Sequence, residues 1–174
     1  MLIGDWLQRC FNLTISHSDI ALPDRVIKLN LQCTEAHLID IGDGTIYEPE
    51  VIAAIVNFVK PGDVCIDVGA NIGYHSILMA KMTGTDGQVL AFEPDPTYFG
   101  KLKDNFILNE VNQICFPIPL ALWEKSGWAE FYIRGEHGYG SFMTFTNVEQ
   151  NKIMVQAAAL DELIKSDIKI KLLK

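Results

Sequence analysis

The residues best suited to chemistry lie in "DVGANIG", Asp67 to Gly73, and at Glu93. Two glycines and an asparagine follow an apolar run. Glycine costs roughly 0.5 to 1 kcal/mol relative to alanine inside regular structure, so such a cluster implies that something approaches the backbone closely. A glycine turn that opens a helix offers unpaired N–H groups and a partial positive charge to an anionic part of a ligand. Glu93 stands 20 residues beyond Gly73, the spacing at which an acidic side chain can accept hydrogen bonds from ribose hydroxyls. The pair suggests an adenosine-containing ligand. A dinucleotide fingerprint needs G-x-G-x-x-G, and here Gly69, Asn71 and Tyr74 hold those places, so two of the three glycines fail. An acidic group at Asp67 suits a ligand carrying an ammonium rather than a pyrophosphate, because like charges repel at close range.

The flanking patterns say how these residues are carried. "DVCIDV", residues 63 to 68, is short, apolar and β-rich, so it reads as a buried parallel strand leading into the turn, with a helix from about Asn71 to Met82 behind it. "QVLAFEPDP" repeats the unit: a strand to Phe92, Asp95 as N-cap, Pro96 at the first helical position, and Phe99, Leu102 and Phe106 on one face. A third strand falls within "ICFPIPLAL", whose two prolines place it near a sheet edge. Two βα units and a third strand predict an α/β fold, a doubly wound parallel sheet with right-handed crossovers and helices on its faces. Ahead of it, residues 1–46 read as a β-rich lead-in. Ile27, Leu29, Leu31 and Cys33 alternate with polar neighbours, and "AHLIDI" is a candidate hairpin partner. Pro49 opens a helix that buries Val51, Ile52, Ile55, Val56 and Val59 before "KPG" stops it. Beyond the third strand, alternation at residues 129–134 and 153–159 predicts an antiparallel pair around "GEHGYGSF", then a short helix near Asp161 to Lys165 and a strand in "IKIKLLK".

Composition limits the partners. Against 22 Asp+Glu there are 14 Lys+Arg, a net charge of −8 that is poor for gripping a phosphate backbone, so no nucleic acid partner is expected. "MLIGDWLQRC" lacks the basic start and apolar core of a signal peptide, and Val51 to Val59 is too short to span a bilayer; the expectation is a cytoplasmic protein. Cys10, Cys33, Cys65 and Cys115 are widely spaced without a CxxC pair, which reads as buried free thiols and no metal site.

"VKPGDVCIDVGANIGYHSILMA", "AFEPDP", "LALWEKSG" and "AAALDELI" together resemble the FkbM family of S-adenosylmethionine-dependent methyltransferases, over approximately Tyr47 to the C-terminus. The resemblance implies a Rossmann-like class I methyltransferase domain over residues 47–174, with Asp67, Gly69, Asn71 and Gly73 around the methionine end of S-adenosylmethionine and Glu93 on its ribose. It also implies O-methylation of a hydroxyl on a sugar, glycolipid or polyketide-like small molecule. Family members continue after "LLK" with an acidic "IDVEG"-like strand end and further strands, so a sheet without its later strands is expected up to Lys174.

The base that would take the acceptor's proton is not apparent from the residues. His137, in "GEHGYGSF", is either a base or a surface loop histidine. His75 either lines the cofactor pocket or packs on the sheet. Tyr47 and Glu48 either close over the cofactor or serve a turn and the helix dipole; Trp123 and Trp128 either touch an acceptor or pack. Two other functions stay open: a cofactor-binding or interaction module without catalysis, and a nicotinamide-dependent oxidoreductase, which the failed fingerprint disfavours.

Overall fold

The computed structural model describes residues 14–22, 24–33, 46–134, 139–141 and 150–174. "AHLIDI", most of "GEHGYGSF" with His137, and Cys10 lie outside them. A four-stranded parallel sheet forms the centre: β3 (Val64–Val68), β4 (Gln88–Phe92), β5 (Cys115–Ile118) and β10 (Ile170–Leu173), in the spatial order β10-β3-β4-β5. The fold is α/β and Rossmann-like. β5, the proline-bearing strand, stands at the edge as its composition predicts.

Helices α1 (Pro49–Phe58), α2 (Tyr74–Thr83) and α3 (Pro96–Leu108) flank the sheet. Their origins are local. Pro49 and Pro96 occupy first-turn positions, where a missing N–H costs nothing. The Asp95 carboxylate accepts from the Thr97 N–H at 2.8 Å and caps α3, a bond worth about 1 kcal/mol. Tyr98, Leu102 and Phe106 are buried along one face of α3, each contributing roughly 1.5 to 3 kcal/mol by leaving water. α2 is buried nearly all round, its Ile77, Leu78, Met79 and Ala80 being inaccessible to solvent. It begins at Tyr74 rather than near Asn71: Asn71 (φ 52°) and Gly73 (φ 93°) are left-handed, so right-handed helix cannot start before them.

The lead-in is an antiparallel hairpin, β1 (Thr14–Ala21) with β2 (Val26–Cys33). Among the described residues β2 pairs with the strand before it. Ile20, Ile27, Leu29 and Leu31 join the same apolar cluster as Ile55, Ile77, Leu102 and Phe106. A second sheet, β6 (Ala121–Leu122), β7 (Gly127–Arg134), β8 (Tyr139–Ser141) and β9 (Gln150–Ala158), contains the predicted antiparallel pair β7–β9. Alternation along it buries Phe131, Val155 and Ala157 and exposes Trp128 and Met154. A single helical turn, α4 (Leu160–Leu163), leads toward β10. Cys65 and Cys115 are buried free thiols, and burial pushes the Cys65 thiol up to about 11. Among the described residues no helix is long and apolar enough to cross a membrane, and no three His, Cys, Asp or Glu side chains are grouped to hold a metal ion.

Candidate functional site

Parallel pairing brings the sequence-predicted residues to one end of the sheet. Val68, the last residue of β3, is in register with Phe92, the last of β4. The glycine turn and Glu93 therefore leave adjacent strand ends side by side, where ligands of open α/β sheets bind. Asp67, Gly69, Asn71, Gly73 and Glu93 all converge here.

The turn is stitched to β4. Gly69 and Ala70 both donate their N–H groups to the Phe92 carbonyl at 2.9 Å, and Gly73 donates to Ala70 at 2.8 Å. The Glu93 carboxylate accepts the Asn71 N–H at 2.8 Å on Oε2 and the Asp95 N–H at 2.9 Å on Oε1. Glu93 thus anchors the turn, a task that its spacing alone does not reveal. It is 6% exposed, and burial pushes its carboxyl up to about 7, opposed by the two N–H groups it accepts. These bonds also test the ligand class. The N–H groups of residues 69, 70, 71 and 73 are spent inside the protein, so they do not form the cradle of free donors that a pyrophosphate needs. These four groups therefore add nothing to a dinucleotide reading that the missing glycines already disfavour.

The two glycines differ. At Gly73 (φ 93°) a Cβ would sit 2.8 Å from Leu102 Cδ1 and 3.0 Å from Phe106 Cε1, so this glycine lets the turn lie against α3. At Gly69 (φ 71°) a Cβ would meet nothing within 4 Å. Gly69 is the exposed member of the turn and faces open space, as a backbone approached by a ligand would.

Asp67 is completely buried. Its Oδ2 accepts from the Ser76 hydroxyl at 2.6 Å, and its Oδ1 lies 3.3 Å from Lys174 Nζ, an ion pair without hydrogen-bond alignment. Ser76 is a site residue that the sequence did not flag; its signal is position, one helical turn after Gly73, facing back to the strand end. His75 is buried on α2 with Nε2 3.5 Å from Glu48 Oε2, and its ring meets those of Tyr47 at 5.8 Å and Tyr74 at 5.3 Å between centroids. Burial and then Lys174 hold the imidazole down to about 4, against the pull of Asp67, so it is neutral at pH 7. Tyr47, Glu48 and His75, separate candidates in the sequence, form one cluster beside the turn. Trp123 and Trp128 are exposed, Trp123 at the β6 end and Trp128 on β7.

Residues 44–124 match the family model of the TRM5/TYW2 methyltransferase domain. A curated relative, the hexuronic acid methyltransferase AglP of Haloferax volcanii, is 28% identical over 119 residues, covering 68% of this chain and 46% of the relative. The chain spans about half the length of that relative. Among solved structures, a SAM-dependent O-methyltransferase from Thermotoga maritima aligns with a TM-score of 0.41 at 12% identity, covering 82% of this chain and 78% of the other. P. horikoshii TYW2 in complex with MeSAdo aligns at 0.40 and 19% identity, covering 68% and 47%.

Proposed function

We propose that this chain carries the S-adenosylmethionine site of a methyltransferase acting on oxygen, with a sugar, glycolipid or polyketide-like small molecule as acceptor. The observation that carries the reading is the methyltransferase-domain match over residues 44–124, which contains every candidate site residue from Asp67 to Glu93. The local geometry fits such a cofactor: a glycine facing open space, a buried carboxylate at the end of β3, and a second carboxylate at the end of β4. In this reading Asp67 and the turn residues Gly69, Asn71 and Gly73 surround the methionine end, and Glu93 accepts from the ribose hydroxyls with lone pairs not used by Asn71 and Asp95. When bound, S-adenosylmethionine supplies an electrophilic methyl group on a sulfonium. The chain's share is to fix the turn, align the acceptor and exclude water. The imidazole of His75 is neutral at pH 7 and adds no second positive charge beside that of Lys174.

The acceptor class draws on two features. A net charge of −8 disfavours a polyanionic acceptor such as nucleic acid, and the curated relative is named for a hexuronic acid. The sequence motifs support an FkbM-type enzyme as the finer family reading, and a cytoplasmic location and division at residues 46 and 47 go with it.

Isothermal titration with S-adenosylhomocysteine tests the site. The chain should bind, and Glu93→Ala should weaken binding roughly 10- to 100-fold, since hydrogen bonds to a charged group are worth about 1.5 to 3 kcal/mol. A folded chain that binds nothing would overturn the proposal; binding unchanged in Glu93→Ala would remove Glu93 from the ligand.

A further inference from the structure

The N-terminal hairpin touches the glycine turn segment through two polar contacts. The first is Asn105, wholly buried in α3. Its Nδ2 donates to the Ile72 carbonyl at 2.8 Å and to the Gln32 carbonyl at 3.3 Å, while its Oδ1 accepts the Gln32 N–H at 2.6 Å. One amide therefore holds the outer edge of β2 and the backbone of the turn together. The second joins the hydroxyls of Ser18 on β1 and Tyr74, the first residue of α2, 3.0 Å apart and buried.

Asn109, four residues after Asn105, provides an internal contrast. It clasps Asn30 in the same two-way fashion, accepting the N–H at 2.9 Å and donating to the carbonyl at 2.5 Å. Its other bond goes to the Asn105 carbonyl at 2.8 Å, within α3, and not to the turn. Both asparagines thus fix the hairpin to α3, and Asn105 alone of the two reaches Ile72. The carbonyl it holds lies between Asn71 and Gly73, both left-handed. Sparsely populated backbone states persist where their surroundings over-determine them. A carboxamide is suited to the task because it has two donors and an acceptor on one planar group; aspartate would lack the donors.

We infer that Asn105 is a positioning residue through which docking of the hairpin 14–33 sets the conformation of the glycine turn, with the Tyr74 hydroxyl as a second strap. The consequence for binding rests on the reading of the turn as a cofactor site; the coupling itself does not. The hairpin is then part of the binding apparatus without touching the ligand.

Three variants decide it: Asn105→Ala, Tyr74→Phe and, as control, Asn109→Ala. Backbone amide hydrogen exchange of residues 69–73 is the direct readout. Asn105→Ala and Tyr74→Phe should speed exchange of the turn by roughly tenfold, whereas Asn109→Ala, which frees Asn30 but keeps the Gln32–Asn105–Ile72 and Ser18–Tyr74 contacts, should leave it unchanged. Titration with S-adenosylhomocysteine should show affinity falling roughly 3- to 30-fold in the first two and holding in the third. If Asn105→Ala does not fold, Tyr74→Phe, which removes a single oxygen, carries the same comparison. Turn exchange unchanged in the variants that fold, or raised equally in the Asn109→Ala control, would overturn the inference. Turn exchange as expected, with no ligand binding by the unmodified chain, would uphold the coupling and sink the cofactor reading.

Discussion

His75 and Glu93 are buried ionisable groups displaced in opposite directions, and their effects on stability oppose each other. The Glu93 carboxyl is raised from 4.5 to about 7, so the native state holds the extra proton; the stability this confers is full below 4.5 and lost as pH rises to about 7. The His75 imidazole is lowered from 6.5 to about 4, so its contribution is present above 6.5 and lost as pH falls toward 4. Between 4.5 and 6.5 the two slopes, each at most about 1.4 kcal/mol per pH unit, largely cancel. Glu93→Gln removes one of them, and its melting temperature should then rise with pH across that range; a flat profile would refute the burial of a neutral His75. Ligand affinity gives a second pH signature. If ribose hydroxyls donate to the ionised Glu93, binding of S-adenosylhomocysteine should weaken roughly tenfold per unit as pH falls below about 7. Affinity constant down to pH 5 would count against that contact. The sequence places Glu93 by spacing, yet it conceals the carboxylate's grip on Asn71, because a bond from a side chain to a backbone N–H 22 residues away leaves no periodic trace.

At the scale of elements, the two glycines of the turn separate stability from binding. Gly73→Ala would force a Cβ against Leu102 and Phe106 in a left-handed backbone, and should cost about 1 to 3 kcal/mol of unfolding free energy in denaturant titration. Gly69→Ala carries the conformational cost of about 1 kcal/mol without a clash, so its larger effect should fall on ligand affinity, where the added methyl enters open space. Equal losses of stability in both would contradict this division. The βα units were legible because each level of signal agreed: β-rich runs, Asp95 and Pro96 at a helix start, apolar residues three and four apart. The start of α2 was not, since Asn71 is a residue that either enters a helix or adopts a left-handed turn, and neighbours decide which. β1 was missed for a related reason. "TISHSDIA" is polar, and its buried Ser18 is stabilised by the Tyr74 hydroxyl, a partner that only the assembled fold supplies.

At the scale of the whole molecule, charge and topology set the behaviour. The excess of acidic residues predicts no measurable binding to duplex RNA or DNA by fluorescence anisotropy at physiological salt, and a micromolar complex there would redirect the search for an acceptor. Topology adds a temporal consequence. The outer edge of β2 is closed by Asn105 and Asn109, which leave the ribosome well after the hairpin does. At about 5 to 20 residues per second, that edge waits roughly 4 to 15 s with its peptide groups uncovered. A hairpin that forms before α3 emerges would present that edge as an open template to any passing strand. Replacing those asparagines would make the interval permanent, with inclusion bodies as the visible outcome at high expression.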